Sequence, residues 1–200
     1  MRKLIIICVA VLLLTGCAAR REELAKRNAE IAEAEAIVKR DAAIAEVNEG
    51  SMFPFPLGLP ETELEYGEEY ERGEGFGCFS IRKDGTWISI AGWPDCLDDY
   101  HVIEYRLTDS TYSVFGISVA EPPNEGETHI TTGSHEFTEQ QLAKRGYEKS
   151  TETDIWNDGS GRYVYIKDDA VKISLHVDAD GVIYEIWATL VVTNKENVVF

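Results

Sequence analysis

What the 200-residue chain lacks bounds it first. It contains four cysteines, two methionines, four histidines and no apolar run near the 20 or so residues that a membrane-spanning helix needs. The longest such run, Leu4 to Leu14, is too short to span a bilayer. Cations are also scarce, with 19 Lys plus Arg against 36 Asp plus Glu and a formal charge of −17. Phosphate neutralisation needs clustered Lys and Arg, so the deficit argues against nucleic-acid binding. An acidic body is repelled by anionic membrane surfaces, which leaves cations, basic peptides and neutral surfaces as complementary partners, or simple solubility as the reason for the charge.

The N-terminus has the layout of a secretory leader. Arg2 and Lys3 precede the apolar run, and Thr15 and Gly16 end it. The exit Leu14-Thr15-Gly16-Cys17 resembles a lipobox, the motif of bacterial lipoproteins. The resemblance implies a signal peptide over residues 1–16, cleavage after Gly16, and diacylglyceryl transfer to the Cys17 thiol. It implies a membrane partner through that lipid, with the chain at a cell membrane or outer membrane, facing periplasm or exterior. Each buried CH2 of an acyl chain is worth about 0.8 kcal/mol, so two or three chains anchor durably. Loss of Arg2 and Lys3 with the leader leaves a net charge of about −19. Cys8 is discarded with the leader, so Cys78 and Cys96 are the cysteines left besides the anchor. In an oxidising compartment they form a candidate disulfide; in a reducing one, two small buried thiols.

From Glu22 to Asn48 there is no Gly, Pro or aromatic residue, which predicts a helical stalk over residues 17–50 with Gly50 as its end. Leu24, Ile31, Val38 and Ala45 recur at heptad spacing beside Ala34, Ile37 and Ile44, consistent with a coiled-coil seam or a solvated spacer. The proline-rich stretch Ser51 to Pro60 reads as extended. Beyond it, strand patterns cover Thr86–Ala91, Tyr100–Leu107, Arg162–Ile166, Ala170–Val177 and Val182–Leu190, punctuated by Asp84-Gly85, Asp158-Gly159 and Asp180-Gly181 as hairpin turns. One helix is signed by Phe137, Thr138, Gln141 and Leu142 as a capping box with staple, and by Gly146 as its stop. Thr62 and Glu65 predict a weaker helix from Glu61 to Tyr70. Gly73 to Gly77 reads as a loop.

The expected fold class is therefore α+β: a stalk, then an antiparallel-sheet domain in two helix-plus-meander units, 51–112 and 113–200. The run Phe55 to Pro60 with its strands to Leu107 matches Ser113 to Ser118 with its strands to Leu190 as a weak repeat. A lipidated chain of such units resembles small outer-membrane-assembly lipoproteins and the tandem-repeat β-lactamase-inhibitor fold, over residues 113–190 more than 55–107. That resemblance implies protein binding rather than catalysis and carries over no functional residue.

Chemical motifs are weak. His129 and His135 flank a polar loop without metal-ligand spacing, and His176 is expected to face solvent. Asp178-Ala179-Asp180-Gly181 begins like a calcium loop, but Val182 stands where the next ligand belongs, so a hairpin turn is expected. Ser160 lacks the strand-to-helix setting of a nucleophile elbow. No metal, cofactor or catalytic residue is assigned. Trp87, Trp93 and Trp187 form the candidate binding surface, on the sheet face opposite the Ile-rich one. The expected function is a tethered, non-enzymatic adaptor or assembly factor with a protein partner in the envelope. The alternatives are an inhibitor of a secreted enzyme and a carboxylate-dependent hydrolase.

Overall fold

The computed structural model describes residues 2–75, 78–83, 86–93, 96–119 and 135–191. The chain is an α+β protein in which one long N-terminal helix, α1 (Arg2–Gly50), is followed by an antiparallel sheet. It divides into two compact units, Met1–Lys39 and Arg40–Phe200. The first unit is the helix alone. Its heptad positions Leu24, Ile31 and Val38 are solvent-exposed. Among the described residues no helix is long and apolar enough to cross a membrane.

In the second unit the last turns of α1 bury a different stripe. Ala43 and Val47 are buried and Ile44 packs beside them, whereas Ala45, the expected seam position, is exposed. After the extended segment and a short 3-10 turn (Glu61–Glu63) come β1 (Glu71–Gly75), β2 (Cys78–Lys83), β3 (Thr86–Trp93) and β4 (Cys96–Leu107). Then follow α2 (His135–Lys144), β5 (Glu148–Lys149), β6 (Asp154–Ile155), β7 (Gly161–Lys167), β8 (Val171–Val177) and β9 (Ile183–Leu190). The strands form one nine-stranded sheet in the order β1-β2-β3-β4-β9-β8-β7-β5, with β6 also pairing with β7.

Strand alternation sorts the residues onto two faces. One face is built from cross-strand rows such as Tyr105, Ala188, Ile173 and Tyr165, and Leu107, Ile186, Leu175 and Tyr163. These rows share a core with Ala43 and Val47 of α1, Phe55, Leu57, Val114, Ile117 and Leu142 of α2. Asn48 ties the extended segment to the helix end through a reciprocal pair. Its amide donates to the Leu57 carbonyl (2.9 Å) and its side-chain oxygen accepts from the Leu57 N–H (2.8 Å).

Three expectations are corrected. Glu61 to Tyr70 is not a helix: only one 3-10 turn forms before Leu64 turns extended. Gly73 to Gly75 lies within β1, because β2 supplies the hydrogen bonds that its own weak strand propensity would not secure. The helix α2 begins at His135, so Thr138 is a buried residue inside it rather than its cap. The expected stop does form: Tyr147 N–H donates to the Leu142 carbonyl and Gly146 N–H to Ala143, both at 3.0 Å, with Gly146 at φ 82°.

The turn from β7 to β8 carries Asp168 and Asp169 at φ 52° and 49°, a left-handed pair closed by the Ala170 N–H to the Lys167 carbonyl at 2.9 Å. Asn-Gly suits such a turn better than two carboxylates do. Asp168→Asn combined with Asp169→Gly is expected to stabilise by about 1 kcal/mol, read as a higher urea midpoint at unchanged slope.

Candidate binding surface

The opposite face of the sheet carries polar and aromatic residues on β4 and β9, while on β8 and β7 its central positions, Ser174 and Val164, are buried. Its central cross-strand row runs Arg106, Trp187, Ser174, Val164, and β3 extends it at Trp87, which lies opposite Arg106. Two of the three candidate tryptophans, Trp87 and Trp187, thus occupy one row with Arg106 between them. Trp93 lies at the far end of β3, opposite Cys96 and beyond two register shifts, and is not brought to that row.

Contacts around Trp187 are dense. The Arg106 guanidinium lies over its indole at 3.9 Å and is paired with Glu104 at 2.8 Å. Thr189 donates to the second Glu104 oxygen at 3.1 Å. On the other side the His176 ring lies 4.6 Å from the indole, tilted by 36°, with Tyr184 at 6.0 Å and the Glu185 carboxylate 3.9 Å from His176 Nδ1. A cation over an indole face is worth about 0.5–2 kcal/mol depending on desolvation, so Arg106 and Trp187 hold each other in place.

The expectation that His176 faces solvent is corrected. Its Nε2 is buried without a hydrogen-bond partner, and so is Trp187 Nε1. The histidine is on the non-core side, but Trp187 and Tyr184 share that side and cover it. Burial holds its pKa below the usual histidine value; Glu185 opposes the shift, while Arg162 and Arg106 add to it.

His135 forms a second aromatic cluster at the start of α2. Its Nε2 lies 3.0 Å from the Tyr165 hydroxyl and its ring 3.7 Å from that of Tyr163. Burial lowers its pKa as well, Glu139 opposing and Lys149 reinforcing the effect. Both histidines therefore favour the neutral form in the folded chain. Their contribution to stability is complete above the unfolded value near 6.5 and is lost as pH falls below it. Thermal melts from pH 7.5 to 5.5 are expected to show a smaller decline for His176→Gln than for the parent chain; equal declines would contradict burial as the cause.

The remaining motifs resolve as structure. Asp178 accepts from the Asp180 and Val182 N–H groups at 3.0 and 2.9 Å, so that segment is a hairpin turn, as expected. Ser160 donates to Asp158 at 2.6 Å within another hairpin. His129 lies outside the described residues, and among those described no three His, Cys, Asp or Glu gather to hold a metal. Cys78 lies opposite Ala91 and Cys96 opposite Trp93, in strands that β3 separates. Two strand spacings amount to about 10 Å, longer than the 4.4–6.8 Å between the Cα atoms of a disulfide, so the sheet does not bring the two cysteines together.

No family model, curated protein or solved structure matches this chain. The most exposed tryptophan on the described surface, Trp156, is not among the three singled out by the strand pattern. Its exposure follows from a hairpin tip whose geometry no alternation rule reports.

Proposed function

We propose that the protein is a membrane-tethered lipoprotein of the cell envelope, anchored through lipid on Cys17, that binds a protein partner with the polar aromatic face of its sheet and performs no catalysis. The observation that carries the binding reading is the Arg106–Trp187–His176 stack, an aromatic and cationic arrangement on the face of the sheet away from the core. Tryptophan and arginine are also the side chains that contribute most at protein interfaces. The lipobox-like sequence supports the tether: Leu14-Thr15-Gly16-Cys17 follows a leader of suitable length and charge.

The test is crosslinking in the native host followed by purification through a C-terminal tag, comparing the parent chain with Cys17→Ser and with Arg106→Glu plus Trp187→Ala. One abundant protein adduct, lost in both variants while the soluble domain remains folded, is the expected result. An adduct unaffected by the face variant would remove the sheet face from the proposal, and absence of any protein adduct would remove the adaptor reading.

A further inference from the structure

We infer that the β6–β7 hairpin is the anchoring element of this protein-binding surface, with Trp156 inserting into an apolar pocket of the partner that is rimmed by Lys or Arg. The inference rests on the protein-binding reading and names where the partner is gripped and what its site must look like.

The hairpin leaves Trp156 65% exposed, and the preceding Ile155, in the row of Gly161 and Val177, is 44% exposed. A flexible loop bearing such residues would lose much of their contact energy to ordering, but this one is fixed in advance. Trp156 N–H donates to the Ser160 carbonyl at 2.8 Å, and Gly159 N–H to the Trp156 carbonyl at 3.0 Å. Asp158 accepts from both the backbone N–H and the hydroxyl of Ser160, at 3.1 and 2.6 Å. The Tyr163 hydroxyl donates to the Gly159 carbonyl at 2.9 Å, fastening the tip to β7. Gly161 closes the base against the Asp154 carbonyl, where a Cβ would come within 2.2 Å. A rigid tryptophan on a preorganised turn has the character of an interface anchor, since its contact area is large and its ordering cost small.

Charge sets the partner's chemistry. Glu152, Asp154 and Asp158 flank Trp156 in sequence, and all three are exposed. Glu152 is paired with Lys172 at 3.1 Å, and its carbonyl accepts from Arg162 at 3.5 Å, while Asp158 spends one oxygen on Ser160. In a chain of formal charge −17 this tip is repelled by anionic lipid and complemented by a basic rim. The hairpin is also continuous with the sheet face: Asp154, Arg162, His176 and Glu185 form one cross-strand row, so a partner seated on the tip reaches the His176–Trp187 stack.

The test places the photoreactive residue p-benzoylphenylalanine at position 156 of the full lipidated chain, and separately at position 184 on the sheet face, in the native host. The expected result is a single protein adduct from position 156 whose crosslinked peptide is apolar with neighbouring Lys or Arg. That adduct should fall about tenfold on Asp158→Ala, and the purified partner's affinity should fall at least tenfold on Trp156→Ala with the fold intact by circular dichroism. An adduct from position 184 but not 156 overturns the hairpin inference and leaves the binding reading standing. Lipid adducts at 156 overturn it in favour of membrane contact. No adduct at either position overturns both.

Discussion

Gly161→Ala is expected to be among the most damaging single-methyl changes in the sheet domain, lowering unfolding free energy by about 3 kcal/mol. Two costs add. Gly161 sits at φ 148°, a conformation that side chains rarely adopt, and its Cβ would meet Asp154 O at 2.2 Å and Ile155 Cα at 2.9 Å. Both are backbone atoms of the strand it pairs with, so no rotamer change relieves the contact and β6 must separate from β7. Gly159→Ala is the control. That glycine has φ 86° but nothing within 4 Å of the added methyl, so it carries only the conformational cost of about 1 kcal/mol. Urea denaturation of both variants decides the matter; equal losses would show that the β6 contact does not limit the site.

Gly50→Ala tests whether the end of α1 belongs to the sheet domain. The added methyl would lie 2.3 Å from Phe115 Cδ1. The ring cannot retreat easily: Phe115 N–H donates to the Gly50 carbonyl at 2.7 Å, its backbone is held at φ 55°, Arg145 lies over the ring at 4.3 Å, and Tyr147 meets it edge-on at 5.8 Å. Overpacking of this kind costs about 2 kcal/mol. The cost should couple to the ring, so adding Phe115→Ala to Gly50→Ala should be less damaging than the sum of the two single changes. Additive losses would mean that the helix end and the Phe115 turn are not packed together. Nearby, Glu46 of α1 is paired with Lys167 of β7 and with Arg145, which ties the helix end to the sheet as well.

These sites show which parts of the structure are legible in residues alone. The strands β3, β4, β7, β8 and β9 are rich in β-branched and aromatic residues, and each is found within a few residues of its pattern. The edge strands are not legible in the same way. Glu71 to Gly75 holds two glycines and two glutamates, and it is a strand because β2 offers it hydrogen bonds, a fact that sits in the partner. The helix α1 is unmistakable from its composition, but the face it buries is not. The buried contacts are made by Ala43 and Val47, while Leu24, Ile31 and Val38 remain exposed.

The same division holds at the candidate surface. Alternation along β9 correctly puts Trp187 with Glu185 and Thr189 on the side away from the core. It misplaces His176 because alternation assigns a face and says nothing of what else stands on that face. Arg106 had no signal of its own; it becomes notable only through the register that sets it between Trp87 and Trp187. Trp156 was one tryptophan among four until a closed hairpin turned it outward.

The measurement that bears most directly on the proposed tether is the mass of the mature N-terminus, taken from the membrane fraction of the native host. Residues 1–16 are expected to be absent, the first peptide to begin at Cys17 with at least a diacylglyceryl group, and Cys17→Ser to leave the chain unlipidated and released from membranes. An N-terminus beginning elsewhere, or a Cys17 with a free thiol in the membrane-bound protein, would contradict the proposed tether.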